Sequence, residues 1–501
     1  MILPMERYVK INSADNVAVV VAEGGLRQGD KVVVDGCEIE LRNDIAQGHK
    51  FALCDMVAGE RVVKYGYPIG HLTAAAKAGD WVHSHNLATD LDENLEYSYT
   101  PQHYDIAIES DAELCVDGYL RKDGQMGIRN ELWVIPTVGC VNGQASEIVE
   151  RIKQECDCSH IDDVIAYTHS YGCSQLGDDH SNTQKALAAM VRHPNAGGVL
   201  VLGLGCENNQ IASLKEVIGE WDDDRVRFLV AQEVEDEVEE GLRLCRELVE
   251  KMREDRREKL PLSMLRVGLK CGGSDGLSGI TANPLVGEFS DWLIAQGGTT
   301  ILTEVPEMFG AETILMNRAA SSEVFADTVL LINNFKEYFR SCGQPIYENP
   351  SPGNKAGGIT TLEEKSLGCV QKGGRQPVVD VLGYGDRVKR QGLNLLNAPG
   401  NDLVASSALA LSGCQMILFT TGRGTPFGSV VPTVKIATNS HLAEFKSRWI
   451  DFNAGDMLSD DSSAVLQSLC SQVLAIASGK RVKHEIAGHK ELTIFKGGVT
   501  L

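Results

Sequence analysis

Short hydrophobic runs separated by turn residues fill the N-terminal part of the chain. Lys31 to Val34 is followed by Asp35-Gly36, and Glu60 to Lys64 is followed by Tyr65-Gly66. β-branched runs of this length, bounded by residues that favour turns, are typical of strands joined by hairpins. The pattern therefore predicts a small all-β domain over residues 1–88.

The next stretch carries one charge sign and shows no periodicity. No Lys or Arg occurs from Ala78 through Leu120. The acidic residues that accumulate there are Asp90, Asp92, Glu93, Glu96, Asp105, Glu109, Asp111 and Glu113. A run of like charges without periodicity is typical of a solvated linker, so residues 89–115 are predicted to connect two domains.

From Glu131 onward, apolar runs alternate with helix-like segments, which predicts βαβ units and mostly parallel sheets. A charge-rich helix is expected from Glu233 to Lys259, and Pro261 would end it. The sequence thus predicts a middle α/β domain over residues 116–260 and a second α/β domain over 261–501.

The second α/β domain contains a long segment rich in glycine and proline, Gln344 to Gly374. A structureless stretch of that length inside a compact domain is more often a binding loop than a passive connection. We therefore expect part of a binding site in this segment.

Composition and charge narrow the possible functions. The chain has 501 residues, of which 43% are hydrophobic and 23% charged, as expected for a folded protein of several domains. With 47 basic and 69 acidic residues its net charge is −22, which argues against nucleic-acid binding, because phosphate recognition needs clustered Lys and Arg. The longest apolar stretch, Ala196 to Cys206, is too short to span a bilayer. Since Glu6 and Arg7 also interrupt any N-terminal signal sequence, a cytoplasmic protein without membrane partners is expected.

Cysteine spacing indicates a metal centre. The 14 cysteines include no Cys-x-x-Cys pair, but Gly139-Cys140, Gly172-Cys173 and Gly205-Cys206 each follow an apolar run, and their cysteines are 33 residues apart in each step. The carboxyl ends of parallel strands meet at one sheet edge, so the three thiols could converge there, with Cys271 as a fourth ligand. Soft thiolates favour iron–sulfur clusters or zinc. The alternative is that these cysteines are small residues in tight turns.

Several motifs resemble those of the altronate/galactarate dehydratase family, and the resemblance covers nearly the whole chain. The matching phrases begin at Gly48-His49-Lys50, Gly118-Tyr-Leu-Arg, Tyr171-Gly-Cys-Ser, Gly205-Cys206-Glu207, Cys271-Gly-Gly-Ser-Asp275, Asn349-Pro-Ser-Pro and Thr421-Gly-Arg423. The phrase Trp81-Val-His83-Ser-His85-Asn86 is more similar to the altronate-type members than to the galactarate-type members.

This resemblance implies a hydro-lyase that converts D-altronate to 2-dehydro-3-deoxy-D-gluconate and water. It also implies dependence on iron, as Fe²⁺ or an iron–sulfur cluster, with Mn²⁺ as a substitute. The implied architecture is an N-terminal β-clip (SAF-like) domain, a middle domain used in homodimerisation, and a C-terminal Rossmann-like domain. Relatives that hold a metal in the C-terminal domain leave a second location for the iron open.

Dehydration of a 2,3-dihydroxy acid needs a base for the hydrogen on carbon 2 and assistance to the hydroxide that leaves carbon 3. The candidate catalytic residues are His83, His85, His49, Lys50, Glu304 and Lys355. The candidate substrate-binding residues are Arg423, Asp275 and Asn283. Because the net charge of −22 repels an anionic sugar acid, a local cationic pocket is expected, for which Lys50, Lys355 and Arg423 are available.

Structural roles without catalytic function are also open for these residues. His83 and His85 could be a solvated or hydrogen-bonded pair, Lys355 and Arg423 could be surface cations, and Asp275 could be a turn residue. Two other functions are also compatible with the sequence: a dehydratase or lyase for another 2-hydroxy acid such as galactarate, and a non-catalytic ligand-binding or scaffold protein.

Overall fold

The computed structural model describes residues 7–91, 95–104, 106, 108 and 114–498. Much of the predicted acidic linker therefore lies outside the described residues, including Asp92, Glu93, Asp105, Glu109, Asp111 and Glu113. Glu6 of the N-terminal segment also lies outside them. No helix in the described part of the chain combines the length and the apolar character that a bilayer crossing needs.

The N-terminal region is all-β, as predicted. Its strands are β1 (Tyr8–Val9), β2 (Val17–Val20), β3 (Lys31–Val34), β4 (Cys37–Glu40), β5 (Lys50–Ala52), β6 (Arg61–Lys64), β7 (Tyr67–Leu72), β8 (Trp81–Val82) and β9 (Leu87–Ala88). They form three antiparallel sheets in the orders β1-β2-β5-β8, β3-β4 and β6-β7-β9. Small apolar side chains, among them Ala18, Val20, Ile39 and Phe51, fill one core of this region.

Two-residue turns close both hairpins at the positions that the sequence indicated. Asp35 and Gly36 have φ angles of 51° and 79°, and Tyr65 and Gly66 have φ angles of 63° and 80°. Positive φ at both central residues is the backbone of the tight hairpin turn that matches strand twist. The two dipeptides therefore fix the register of β3 against β4 and of β6 against β7.

The middle region is built on a parallel sheet. Its strands are β10 (Cys115–Leu120), β11 (Met126–Gly127), β12 (Glu131–Pro136), β13 (Asp163–Ala166), β14 (Ala196–Gly203), β15 (Val226–Val230) and β16 (Glu258–Pro261), and its helices are α1 (Asn142–Glu155), α2 (Gly177–Val191), α3 (Ile211–Ile218) and α4 (Glu237–Met252). The sheet order is β13-β12-β14-β15, with all pairs parallel. The predicted βαβ organisation is thus confirmed.

The charge-rich segment forms a shorter helix than the sequence suggested. Asp236 caps α4 by accepting hydrogen bonds from the backbone N–H groups of Val238 and Glu239. The helix ends at Met252, and β16 then pairs antiparallel with β10. Helical periodicity did not mark this end, because the residues of β16 are as charged as those of the helix.

The C-terminal region contains seven parallel strands. Its strands are β17 (Arg266–Cys271), β18 (Thr299–Leu302), β19 (Val378–Leu382), β20 (Gly392–Leu396), β21 (Met416–Thr421), β22 (Thr433–Ala437) and β23 (Phe452–Asn453), and its helices are α5 (Ala282–Ala295), α6 (Glu312–Met316), α7 (Ser322–Ser341), α8 (Pro352–Ala356), α9 (Leu362–Cys369), α10 (Asp402–Leu411), α11 (Ser440–Phe445), α12 (Ser462–Ala477) and α13 (Lys483–Ile486). The order β19-β20-β18-β17-β21-β22-β23 is that of an open, doubly wound sheet. This agrees with the predicted Rossmann-like α/β class.

The Gly/Pro-rich segment is not structureless. It folds into α8 and α9, and Ser351 caps α8 by accepting from the backbone N–H of Asn354. Pro352 begins α8 and Gly357 follows its end, since proline is favoured in the first helical turn. Thr361 caps α9 by accepting from the backbone N–H of Glu364.

The end of the chain returns to the middle region. Glu485 pairs with Arg129 at 2.8 Å, and Lys490 pairs with Glu131. The backbone N–H of Gly497 donates to the carboxylate of Asp179. These contacts fasten the middle and C-terminal regions together, and one hydrophobic cluster spans both.

Candidate active site at the carboxyl edge of the C-terminal sheet

The C-terminal sheet reverses its winding direction next to β17. The chain passes from β17 to β18 on one side, whereas β21 lies on the other side and leads on to β22. Ligands of open α/β sheets bind in the crevice at such a switch point, outside the carboxyl ends of the strands. Here that position holds the loop of residues 271–276 after β17 and the loop of residues 421–424 after β21.

Glycines let the N-terminal β-domain dock onto these loops. A Cβ on Gly276 would lie 1.8 Å from the carbonyl oxygen of Gly48, and one on Gly358 would lie 2.3 Å from the same oxygen. The N–H of Gly276 donates to the carbonyl oxygen of Gly357 at 2.7 Å. No larger side chain fits at these two positions, so the backbones of three segments meet directly. We call this meeting point, formed by residues 48–50, 81–85, 271–276, 354–358 and 421–424, the interdomain junction.

Four rings of the β-domain stack at the interdomain junction. The ring centroids of His49 and His83 are 5.1 Å apart, and those of Trp81 and His83 are 4.9 Å apart. The ring of His85 lies 4.9 Å from Trp81 on the exposed side. His83 and His85, both predicted to be catalytic, lie in the turn after β8, where His83 is buried and His85 is exposed.

The two inner histidines have fixed hydrogen bonds. Nε2 of His83 donates to the carbonyl oxygen of Lys355 at 2.9 Å, and Nε2 of His49 donates to that of Ala356 at 3.3 Å. Trp81 Nε1 donates to Nδ1 of His49 at 3.2 Å. Burial lowers the pKa of both imidazoles, that of His83 to about 4. Both rings are therefore neutral at pH 7 and hold the end of α8 in place.

Three predicted residues present free polar groups at the interdomain junction. Among the described residues, the side chains of His85, Lys355 and Arg423 have no hydrogen-bond or ion-pair partner, and all three are exposed. Arg423 extends over Gly273, whose Cβ position lies 3.3 Å from the Cβ of Arg423. One imidazole and two cations are thus available to a ligand.

Lys50, in contrast, is fully used within the fold. Its Nζ donates to Glu364 Oε2 at 2.8 Å, Thr360 Oγ1 at 3.0 Å and the carbonyl oxygen of Gly358 at 3.3 Å. Lys64 binds the other oxygen of Glu364 at 2.8 Å. Burial lowers the pKa of Lys50 to about 8. Burial alone would raise the pKa of Glu364, but the charges of Lys50 and Lys64 outweigh this effect, so the pKa of Glu364 is lowered. Lys50 therefore fastens the β-domain to α9.

Asp275 and Asn283 also bind their own fold. Asp275 accepts hydrogen bonds from Thr438 Oγ1 at 2.9 Å and from the N–H of Leu277 at 3.2 Å. Asn283 is fully buried and accepts from Thr420 Oγ1 at 2.6 Å. The turn alternative for Asp275 fits these contacts, and neither side chain offers a free group at the surface.

A buried triad of potential metal ligands lies at the start of the 271–276 loop. Oε2 of Glu307 is 3.2 Å from the Cys271 sulfur and 3.1 Å from the Cys369 sulfur, and the two sulfurs are 3.3 Å apart. Within the described part of the chain, this is the only group of three His, Cys, Asp or Glu side chains whose ligand atoms lie within 4.8 Å of one another. Two thiolates and a carboxylate suit iron or zinc and leave further coordination positions open.

Buried lysines surround this triad. The ion pairs join Lys365 to Glu307 at 2.7 Å, Lys372 to Glu304 at 3.1 Å, and Lys270 to both Glu304 and Asp402. Three lysines balance three carboxylates, so loss of both thiol protons would leave two negative charges, which one divalent cation would neutralise. The donor chemistry and the charge balance therefore both fit a dication.

Glu304, predicted to be catalytic, lies beside the triad and orders it. It accepts the N–H of Cys271 at 3.0 Å and has a left-handed φ of 70°. Such a conformation costs of order 1–3 kcal/mol for a residue with a side chain and concentrates at functional sites. The sequence pattern did not single out its neighbours Glu307 and Cys369. Gly368-Cys369 does, however, repeat the Gly-Cys pair found at Cys140, Cys173 and Cys206.

The three evenly spaced cysteines occupy the edge of the other parallel sheet. Their loops meet as expected, since the N–H of Gly139 donates to the carbonyl oxygen of Tyr171 and that of Asn209 to the carbonyl oxygen of Gly172. Cys140, Cys173 and Cys206 are all exposed and, within the described chain, form no group with ligand atoms within 4.8 Å. The three sulfur atoms are too far apart to bind one ion together. A metal cluster at this edge therefore stays a prediction. Cys271 does not join them, because it belongs to the other sheet and lies beside Cys369.

These features define an α/β protein whose N-terminal β-domain closes over a polar, metal-competent sheet edge. Family models match three segments: the altronate/galactarate dehydratase SAF domain over residues 6–90, the D-galactarate dehydratase/altronate hydrolase second domain over 118–253, and the D-galactarate/altronate dehydratase C-terminal domain over 262–500. The chain belongs to the altronate/galactarate dehydratase family, as its motifs indicated.

Full-length relatives agree with this assignment. Altronate dehydratase of Bacillus subtilis is 55% identical over 500 residues, which cover 99% of this chain and all of the relative. Altronate dehydratase of Escherichia coli is 54% identical over 497 residues, with 99% of this chain and all of the relative covered. Galactarate dehydratase (L-threo-forming) of Escherichia coli is 33% identical over 528 residues, with 98% and 97% covered.

Proposed function

We propose that this chain is a hydro-lyase that converts D-altronate to 2-dehydro-3-deoxy-D-gluconate and water. The observation that carries the proposal is the convergence of His85, Lys355 and Arg423 with a buried Cys/Glu triad at one junction of a chain that matches altronate dehydratases over its full length. The higher identity to the altronate relatives, 54–55% against 33%, favours altronate over galactarate.

The two free cations bind the substrate carboxylate. Arg423 and Lys355 belong to segments that each contact the 271–276 loop, and neither has a competing carboxylate among the described residues. A guanidinium can bind a carboxylate through two parallel hydrogen bonds, which fixes its orientation as well as its position. This local positive charge offsets the repulsion of an anionic substrate by a protein of net charge −22.

His85 is the acid/base group. Its imidazole is exposed and has no hydrogen-bond partner among the described residues, and its ring packs against Trp81 at an interplanar angle of 37°. The imidazole takes the proton from carbon 2 and returns it to the hydroxide that leaves carbon 3, so that water departs and the remaining enol ketonises. A positioned base of this kind contributes about 10²–10⁴-fold in rate.

The buried triad is the proposed iron site, with Cys271, Cys369 and Glu307 as ligands. Bound iron would act as a Lewis acid that polarises a substrate oxygen and stabilises developing negative charge. Lys365 holds one oxygen of Glu307 and so turns the other toward the two sulfurs. Asp402 is partly exposed and lies on the surface side of Lys270, next to Gly272 of the loop.

The experiment is an assay of reduced, iron-loaded protein, with Mn²⁺ as the substitute metal, on D-altronate and D-galactarate. We expect a 2-keto-3-deoxy acid from altronate at the higher kcat/KM. A higher value for galactarate would reassign the substrate, and no product from any sugar acid would favour a non-catalytic ligand-binding protein.

We further propose a cytoplasmic homodimer that associates through the middle region, which the family resemblance supports. Light scattering of the purified chain tests the dimer: a mass twice that of the chain is expected, and a monomer would contradict it.

A further inference from the structure

Three half-buried arginines converge at the amino edge of the C-terminal sheet, away from the interdomain junction. Arg192 follows α2, Arg266 is the first residue of β17, and Arg387 precedes β20. Arg266 Nη1 donates to Gln125 Oε1 at 3.1 Å, and Arg387 Nη2 donates to the same oxygen. The charge of Arg192 also acts on Arg387. Arg266 and Arg387, both of the C-terminal region, therefore share one neutral acceptor from the middle region.

No carboxylate neutralises these arginines. Among the residues that the structure describes, Arg192, Arg266 and Arg387 form no ion pair, and Nε of Arg192 is buried without a hydrogen-bond partner. The negative charge of Asp123 is close enough to act on Arg266 and Arg387. Its carboxylate forms no ion pair with them and accepts hydrogen bonds from Gln125. Three cations and one anion leave a surplus of two positive charges.

This surplus of positive charge is unfavourable in a half-buried position. Burial lowers the pKa of Arg192, Arg266 and Arg387, that of Arg387 to about 10, because water is withdrawn from the charged groups. A partly buried charge without a partner destabilises a fold. A chain with 69 acidic residues nevertheless places none of its described carboxylates on these three arginines. An external anion would remove the imbalance.

Space for such an anion exists beside Arg192. A cavity of about 290 Å³ is lined by four cations, Arg121, Lys122, Arg192 and Arg225, and by three carboxylates, Asp123, Glu220 and Asp222. Arg266 and Arg387 are not lining residues of this cavity. This is near the lower end of the volumes that hold small ligands, about 300–1,000 Å³. Planar guanidinium groups match the oxygen geometry of phosphate and carboxylate groups.

We propose that Arg192, Arg266 and Arg387 form a binding site for the oxyanion group, phosphate or carboxylate, of a small metabolite. The site is separate from the interdomain junction, because Arg266 and Cys271 are the two ends of β17. Five residue steps at about 3.3 Å each place them roughly 16 Å apart along the strand. Oxyanion binding here is therefore independent of the proposed dehydratase activity and does not compete with substrate.

The test measures the thermal unfolding midpoint of the full chain in inorganic phosphate, malonate and chloride at matched ionic strength. We expect a saturable rise with phosphate or malonate over chloride, and the stronger of the two identifies the oxyanion class. Arg192→Gln and Arg387→Gln each weaken the apparent affinity by about tenfold or more, since a charge-assisted hydrogen bond is lost. Arg390→Gln, which changes an exposed arginine on the same loop as Arg387, keeps the wild-type response.

Several results would overturn the proposal. One is equal stability of the wild-type chain in all three salts, which is decisive even if a variant fails to fold. Another is a response that Arg423→Gln abolishes and Arg192→Gln retains, since the anion would then bind at the junction. A third is an oligomeric mass of the Arg192→Gln variant, measured by light scattering, that differs from the wild-type mass. A carboxylate of a partner subunit would then be the counterion of Arg192.

Discussion

The two parallel sheets of this protein carry cysteines at the same kind of position, and their surroundings differ. In the middle region, Cys140, Cys173 and Cys206 lie on exposed loops that hydrogen-bond to one another. In the C-terminal region, Cys271 lies at the strand end but meets Cys369, which comes from α9 on the opposite side of the site. The first arrangement follows from regular chain spacing, and the second from packing of distant segments.

The difference shows what a sheet edge needs before it can hold a single ion. At the C-terminal edge the ligand atoms are within 3.3 Å of one another, buried, and oriented by ion pairs such as Lys365 with Glu307. Partners of this kind around a site typically change metal affinity by about 10–100-fold. At the middle edge the thiols face solvent. We therefore propose the C-terminal edge as the location of a single iron ion.

The largest expected effect comes from a triad ligand. Cys369→Ser should reduce turnover of D-altronate to background, because the proposed site loses a soft ligand that serine does not replace. Cys470→Ser, a buried thiol on α12 outside the site, is the matched control and should stay near wild type. Full activity of Cys369→Ser together with loss of activity in Cys173→Ser would move the iron to the middle edge.

The next effect concerns the base. His85→Gln should lower kcat by about 10²–10⁴-fold while iron content stays unchanged, because the variant lacks the proton acceptor but leaves the triad intact. Steady-state kinetics with parallel iron analysis measure this. His103→Gln, an exposed histidine away from the junction, serves as control. A kcat within about threefold of wild type would remove His85 from the mechanism.

A smaller effect is expected for the carboxylate clamp. Arg423→Gln should raise KM for D-altronate about 10–100-fold with a lesser change in kcat, since it removes a charge-assisted hydrogen bond to bound substrate. Arg448→Gln, on the same region of the chain, controls for the loss of a surface charge. An unchanged KM would mean that Arg423 is only a surface cation.

The smallest effect is a pH dependence of stability. The pKa of His83 is lowered by burial to about 4, against 6.5 in the unfolded chain, so its contribution is complete above pH 6.5 and is lost as pH falls toward 4. His83→Gln keeps a donor for the Lys355 carbonyl and does not titrate. Thermal unfolding between pH 7 and 4 should therefore show a shallower decline for the variant, and parallel curves would contradict this role.

The sequence predicted the fold class well because local patterns determine it here. Hairpin turns at Asp35-Gly36 and Tyr65-Gly66 and the alternating βαβ pattern after Glu131 are encoded by neighbouring residues. The extent of α4 and the helices within the Gly/Pro-rich segment were not predicted, since strand β16 is as polar as the helix before it and short capped helices leave no periodic signal.

The candidate site was harder to predict because it depends on contacts between distant segments. His85, Lys355 and Arg423 were selected by motif, and the structure brings them to one junction. Lys50 was selected in the same way, but Glu364, more than 300 residues away, occupies its ammonium group. Cys369 carries no spacing relation to Cys271, so only the packing of α9 shows that the two thiols meet.

X-ray absorption at the iron edge of anaerobically prepared wild-type protein tests the assignment most directly. We expect one iron per chain with two sulfur ligands, the remaining ligands oxygen or nitrogen, and no iron–iron scattering. Iron–iron scattering with three or more sulfur ligands per iron would contradict it and would place a cluster on Cys140, Cys173 and Cys206.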